Sequence, residues 1–230
     1  ARLFDHLLAL LPFEPPYFER VGLSCTFVGH PVVAETRTGD AGAFREKFQI
    51  PEDAPLFCLL PGSRKGEVDR HMPVFGRAIN ILAESYPNLA LAVTVPRHVL
   101  PFVATYFEGC PFRTVITADE QDKKNAIAAS NVAIVKSGTV ALEVAMSKTP
   151  MVVAYRVHPV SAWMMKRMST TKYVNLVNIL LKREAIPELL QDMCTPLLIA
   201  GAASQLMQNR PLQDTQIRRA ESALAQLVPA

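Results

Sequence analysis

Cysteine is scarce: four occur in 230 residues, at positions 25, 58, 110 and 194. No two have C-x-x-C or zinc-site spacing, which argues against a dithiol or zinc centre and fits a reducing compartment. Cys58 lies in an apolar run and reads as a small core residue. Charge of one sign is also lacking. The formal net charge is +3, so nucleic acid is not an implied partner. No apolar run approaches the roughly 20 residues that a membrane-spanning helix needs. Neither G-x-G-x-x-G nor G-x-x-x-x-G-K-[ST] occurs, which speaks against a dinucleotide dehydrogenase and a P-loop nucleotidase. His30 and His158 each precede a proline, have no triad carboxylate near them in sequence, and read as structural. Asp119, Glu120 and Asp122 read as an acidic helix start, favourable with the helix dipole, and only poorly as a metal site. No secretion signal is visible, but the chain opens on Ala1, so its original N-terminus is expected to be missing.

What is present is apolar content, at half of all residues, in a regular alternation. Residues 1–11 have the spacing of a short amphipathic helix, stopped by Pro12, Pro15 and Pro16. A strand and turn follow at 25–31, then a polar linker over 34–54 with one short helix. From Leu56 onward strands at 56–60, 89–95, 114–117, 132–135 and 151–155 alternate with helices at 71–86, 99–107, 119–129, 139–146 and 159–168. The type of 173–181 stays open, and 187–191 reads as a helical turn. Helices opening on Pro196 and Pro211 close the chain, proline suiting the first helical position. This order predicts an α/β fold, a Rossmann-like parallel sheet with helices on both faces.

Two stretches carry the chemistry. One is Gly62-Ser63-Arg64 with Glu67, after the apolar run 56–60. The other is Ser137-Gly138-Thr139 with Glu143, after 132–135. Each is a strand ending in a small-residue turn that opens a helix. In open α/β sheets such turns line one crevice at the strand ends, where helix N-termini favour anions. Arg64 has a planar fork suited to phosphate oxygens. Glu143, one turn beyond Thr139, is placed to accept from ribose hydroxyls. The blander alternatives are a surface arginine beside Glu67 and an ordinary Ser or Thr helix cap. The pair of loops points to a diphosphate, hence a nucleotide or nucleotide sugar. Elsewhere, Lys123-Lys124, Lys166-Arg167 with Lys172, and Lys182-Arg183 are either solvated helix surface or contacts to an anionic membrane. Trp163 with Met164, Met165 and Met168 is either a core or interface face, or a lipid-facing patch.

Seven stretches in series resemble the lipid-A-disaccharide synthase family of GT-B glycosyltransferases: LPFEP at 11–15, FVGHP at 27–31, LPGSRKGE at 60–67, SGTVALE at 137–143, PMVVAYR at 150–156, NLVNIL at 175–180 and PELLQ at 187–191. Lys136 and Val177 depart from the commoner small residue and proline of the pattern. The resemblance implies the C-terminal half of a GT-B fold. Residues 1–35 would be a remnant of the N-terminal domain with the interdomain connection. Residues 36–210 would be the nucleotide-sugar-binding domain, and 211–230 a crossover helix expected to fray or pack elsewhere without the missing half.

The implied reaction joins a UDP-2,3-diacylglucosamine donor to a 2,3-diacylglucosamine 1-phosphate acceptor, releasing UDP, with no cofactor or metal. Arg64 would stabilise the leaving group. Asn178, Glu188 and Gln191 match donor-site positions, and the base would belong to the missing half. The implied setting is the cytoplasmic side of the inner membrane, as a peripheral protein, with a homodimer through the C-terminal helices as a further expectation. Rival readings are another GT-B transferase or epimerase acting on a UDP-sugar, and a nucleotide-binding module without catalysis.

Overall fold

The structure, a computed structural model, describes residues 3–34, 39–156 and 172–229. The helix expected at 159–168, with His158, Trp163, Met164, Met165, Lys166, Arg167 and Met168, lies outside the described residues.

A small opening unit pairs strand β1 (His6–Ala9) with β2 (Ser24–Phe27) in parallel, through helix α1 (Pro15–Glu19). Residues 6–9 are therefore a strand, correcting the expected helix. Ala9 is buried while Leu8 and Leu10 are exposed, so no helical apolar stripe exists here to bury. A turn at Gly29 leads to α2 (Pro31–Ala34), where His30 Nδ1 accepts the Val32 N–H at 3.1 Å, a structural role. The linker helix is α3 (Ala41–Lys47), capped by Asp40.

The main sheet comprises β3 (Leu56–Leu60), β4 (Ala90–Thr94), β5 (Arg113–Thr117), β6 (Val132–Val135), β7 (Met151–Tyr155) and β8 (Glu188–Leu190). All neighbours are parallel, in the order β5-β4-β3-β6-β7-β8. Counted from β3, this is the order 3-2-1-4-5-6 of doubly wound nucleotide-binding sheets. The helices between are α4 (Lys65–Ser85), α5 (Leu100–Ala104), α6 (Glu120–Ala129), α7 (Val140–Met146) and α8 (Leu176–Leu181). Residues 188–190 form an edge strand rather than the helical turn expected after Pro187. A proline just ahead of an edge strand removes no needed ladder donor. Helix α4 begins at Lys65, six residues before the apolar periodicity is legible, because its first turn is polar and faces the loop.

Side chains alternate across the sheet. Leu56, Cys58 and Leu60 enter one core with Phe44, Ile127, Leu142, Val177 and Leu224. Phe57 and Leu59 enter the other with Phe75, Ile79, Val103, Ile199 and Leu206. Thus α4, α5 and α9 (Pro196–Gln208) cover one face, while α3, α6, α7, α8 and α10 (Arg210–Leu224) cover the opposite one. Cys58 is fully buried, and burial pushes its thiol pKa up to about 12.

The closing helix packs against the sheet face. Gln216 exchanges two hydrogen bonds with Met151, at 2.7 and 3.0 Å, and Ala220, Ala223 and Leu224 are buried. The tail then returns to the opening unit, where the His30 N–H donates to Leu227 O at 3.0 Å. Amides of residues 216–223 are accordingly expected to exchange as slowly as those of β6. Hydrogen exchange that releases this helix well before the sheet would contradict that packing.

Candidate functional site

The order of the sheet reverses between β3 and β6, and the carboxyl ends of these strands face a cavity of about 290 Å³. Loops after four strands line it: Gly62 and Ser63 after β3, Thr94–Pro96 after β4, Thr117–Glu120 after β5, and Lys136–Val140 after β6. Glu67, Lys123 and Glu143 complete its polar wall. The switch point of a doubly wound sheet is the place where such folds take ligands.

The β3 loop is shaped by Gly62, whose φ of +121° disfavours a side chain. A Cβ there would also lie 2.9 Å from Glu67 Oε2. Glu67, in the first turn of α4, folds back so that the Ser63 N–H donates to Oε2 at 3.4 Å. Its Oε1 meets Lys136 Nζ at 3.1 Å. Burial pushes the Glu67 carboxyl up, but the Lys136 ammonium and the Ser63 and Arg64 N–H groups outweigh it and hold the pKa below the ordinary range. Arg64 itself does not line the cavity. Its side chain is 85% exposed, with Nη1 3.9 Å from Glu67. The expected phosphate fork thus stands at the surface beside the loop.

The β6 loop opens α7, whose start no side chain caps. The first N–H groups of a helix have no intrahelical partner, and Gly138, Thr139 and Val140 all border the cavity. The Ser137 hydroxyl donates to Val174 O at 3.2 Å, tying the loop to residues 172–175. Glu143 lies at the wall but is engaged by Lys123 at 2.9 Å, which also holds Glu120 at 2.7 Å. Burial pulls the Lys123 ammonium down, and the two carboxylates more than reverse it, raising its pKa.

Asn178, Glu188 and Gln191 are not among the lining residues. Asn178 is fully buried; its Nδ2 donates to Ile186 O and Glu188 Oε1, and its Oδ1 accepts the N–H groups of Ala185 and Ile186. Glu188 also accepts the N–H groups of Val174 and Asn175, at 2.9 and 3.0 Å. Together they fold the segment on which Ser137 rests. Gln191 follows the edge strand with φ of +50°.

Sequence reasoning missed Lys123, Asp119 and Glu120 as wall residues, and noted Lys136 only as a departure from a pattern. The signal for the first three was their position directly after β5, since all carboxyl-end loops meet in one crevice. Asp119 caps α6, and the Asp122 N–H it receives lowers its pKa. Thr94 Oγ1, buried at the cavity wall, has no partner among the described residues. No histidine or cysteine lines the cavity, and each lining carboxylate already has a donor among the described residues. The arrangement offers an anion the free N–H groups at the start of α7, while both lining ammoniums, Lys123 and Lys136, are held by carboxylates. It offers no unengaged base.

Six parallel strands in this order define a Rossmann-like domain, and likeness to solved GT-B structures makes it one half of a GT-B fold. The solved structure of S. aureus MnaA with UDP matches 95% of this chain with a TM-score of 0.63 at 16% identity, over 56% of its own length. MurG of Acinetobacter baumannii matches 96% with a TM-score of 0.57 at 14% identity, over 56% of its length. The family model of lipid-A-disaccharide synthetase matches residues 1–227, and the chain belongs to that family. Lipid-A-disaccharide synthases of Rhodospirillum centenum and Gluconobacter oxydans are 47% and 40% identical over 94% and 99% of the chain. The chain spans about half the length of these curated relatives, 54% and 55%.

Proposed function

We propose that this chain is the donor-binding half of a lipid-A-disaccharide synthase, with residues 1–35 left from the preceding domain, 36–210 the nucleotide-sugar domain and 211–230 the closing helix. The observation that carries the reading is the cavity at the switch point, walled by the two loops the sequence singles out, in a chain of this family. The whole protein would transfer the diacylglucosaminyl group from UDP-2,3-diacylglucosamine to 2,3-diacylglucosamine 1-phosphate and release UDP. Acyl substrates require access to the inner-membrane surface. No described helix is long and apolar enough to cross a membrane, which suits a peripheral enzyme.

The chemistry needs a base for the acceptor hydroxyl, stabilisation of an oxocarbenium-like centre and neutralisation of the departing diphosphate. The described residues supply the third. The start of α7 at Ser137–Thr139 and the Gly62-Ser63 turn would take phosphate oxygens, with Arg64 closing over them from the surface. Glu143 would receive the ribose hydroxyls on release from Lys123. Asn178 and Glu188 would act through the loop they fold, and Gln191, which does not line the cavity, carries a donor-sugar role only by its match to the family pattern. The acceptor's base would come from the other half. Exchange of the last two helices between two copies would give a homodimer.

Calorimetric titration of UDP tests the reading. The chain should bind UDP, and Arg64→Ala should weaken binding by about three- to tenfold, the modest end fitting a solvent-screened side chain. Absence of UDP binding by the folded chain would count against a donor-binding half. Full affinity in the variant would remove Arg64 from the diphosphate.

A further inference from the structure

Glu67 sits where the β3 loop and Lys136 converge at the cavity wall. Its Oε2 lies against the Gly62-Ser63 turn, accepting the Ser63 N–H, and its Oε1 takes the Lys136 ammonium at 3.1 Å. A backbone N–H at a helix start plus an ammonium is the donor set that receives a phosphate oxygen. Lys136 Nζ also lies 3.9 Å from where a Cβ on Gly138 would stand, so it reaches both loops. The two side chains are only 15% and 17% exposed, so their charges cancel in partly desolvated surroundings at the cavity wall.

We propose that Glu67 is an internal stand-in for phosphate that occupies the Ser63 N–H and the Lys136 ammonium in the ligand-free site, and that Lys136 exchanges this carboxylate for the diphosphate when a nucleoside diphosphate binds. The proposal rests on the donor-binding reading and names its regulation. Two features permit the exchange. Lys136 Nζ sits over the Tyr155 ring, 5.0 Å from its centroid, which holds the ammonium in place without Glu67. Glu67 lies in the first turn of α4, where a carboxylate remains favourable with the helix dipole after it swings outward. The fitted site is selective for an anion able to outcompete a carboxylate. A neutral nucleoside gains nothing from displacing it.

The test is calorimetry of UDP, inorganic pyrophosphate and uridine with the chain, Glu67→Gln and Lys136→Met. Glu67→Gln keeps an acceptor for the Ser63 N–H but removes the rival charge. It should tighten UDP and pyrophosphate by about three- to tenfold and leave uridine unchanged. Lys136→Met should weaken both anions by about tenfold or more, and the double variant should bind as weakly as Lys136→Met. A gain of affinity cannot come from misfolding. UDP bound equally by all forms would overturn the exchange and leave the donor-binding reading in place. No uptake of UDP or pyrophosphate by any form would overturn both.

Discussion

Asn178→Ala is expected to destabilise the chain by about 4 kcal/mol, a large share of the stability of a typical domain. The amide makes four hydrogen bonds between 2.7 and 2.9 Å in a fully buried site. Truncation strands the N–H groups of Ala185 and Ile186 and the Ile186 carbonyl, each costing about 1–3 kcal/mol when buried without a partner. It also takes from Glu188 one of its three donors among the described residues, which would loosen the segment 174–175 under Ser137. Asn178→Asp should fare no better, because it cannot donate and sets two carboxylates together. Urea unfolding should show a lower midpoint with an unchanged slope for both variants. A loss below about 1 kcal/mol would mean that the loop finds other partners.

The second large effect is an acid-sensitive stability centred on His71. Its ring lies between Phe75 and Tyr155, at centroid distances of 5.3 and 5.5 Å, and its Nε2 accepts the Arg156 N–H at 3.0 Å. Burial lowers its pKa from 6.5 to about 4. The Glu67 carbonyl and carboxylate pull upward, while Lys136 and Arg70 reinforce the drop. As pH falls below 6.5 the unfolded chain takes up a proton that the folded chain refuses until about pH 4. Stability is therefore fully present at neutral pH and lost through that window, by about 3 kcal/mol. Denaturation between pH 7 and 4 should show the wild type losing about that much more than His71→Gln. Parallel pH curves would assign the acid sensitivity elsewhere.

Most of the main sheet was legible because its strands are buried on both faces and read as unbroken apolar runs. The exceptions are physical. Four residues at 6–9 cannot distinguish a period of 2 from one of 3.6, and the partner that makes them a strand lies beyond a proline-rich turn. Pro187 opens either a helix or an edge strand, and only the position of β7 decides. At the site, both loops were legible from their small residues and flanking runs. The engagement of Glu143 by Lys123 was not, since it depends on α6 and α7 meeting across the strand ends. Nor was the use of Glu188, whose carboxylate holds backbone groups 13 and 14 residues earlier in the chain.

The seam between β3 and β6 has a kinetic side. Leu56 is joined to Asn131 across a separation of 75 residues, yet these strands are immediate neighbours at the middle of the sheet. On a chain emerging from the ribosome, β3 can recruit β4 and β5 long before β6 exists. During that interval its inner edge, apolar on both faces, stands open, the kind of edge that invites pairing with another chain. The crevice thus takes shape only once β6 has joined β3. The same reversal of strand order that creates a place for a ligand also sets the longest wait among the strand pairings of the main sheet.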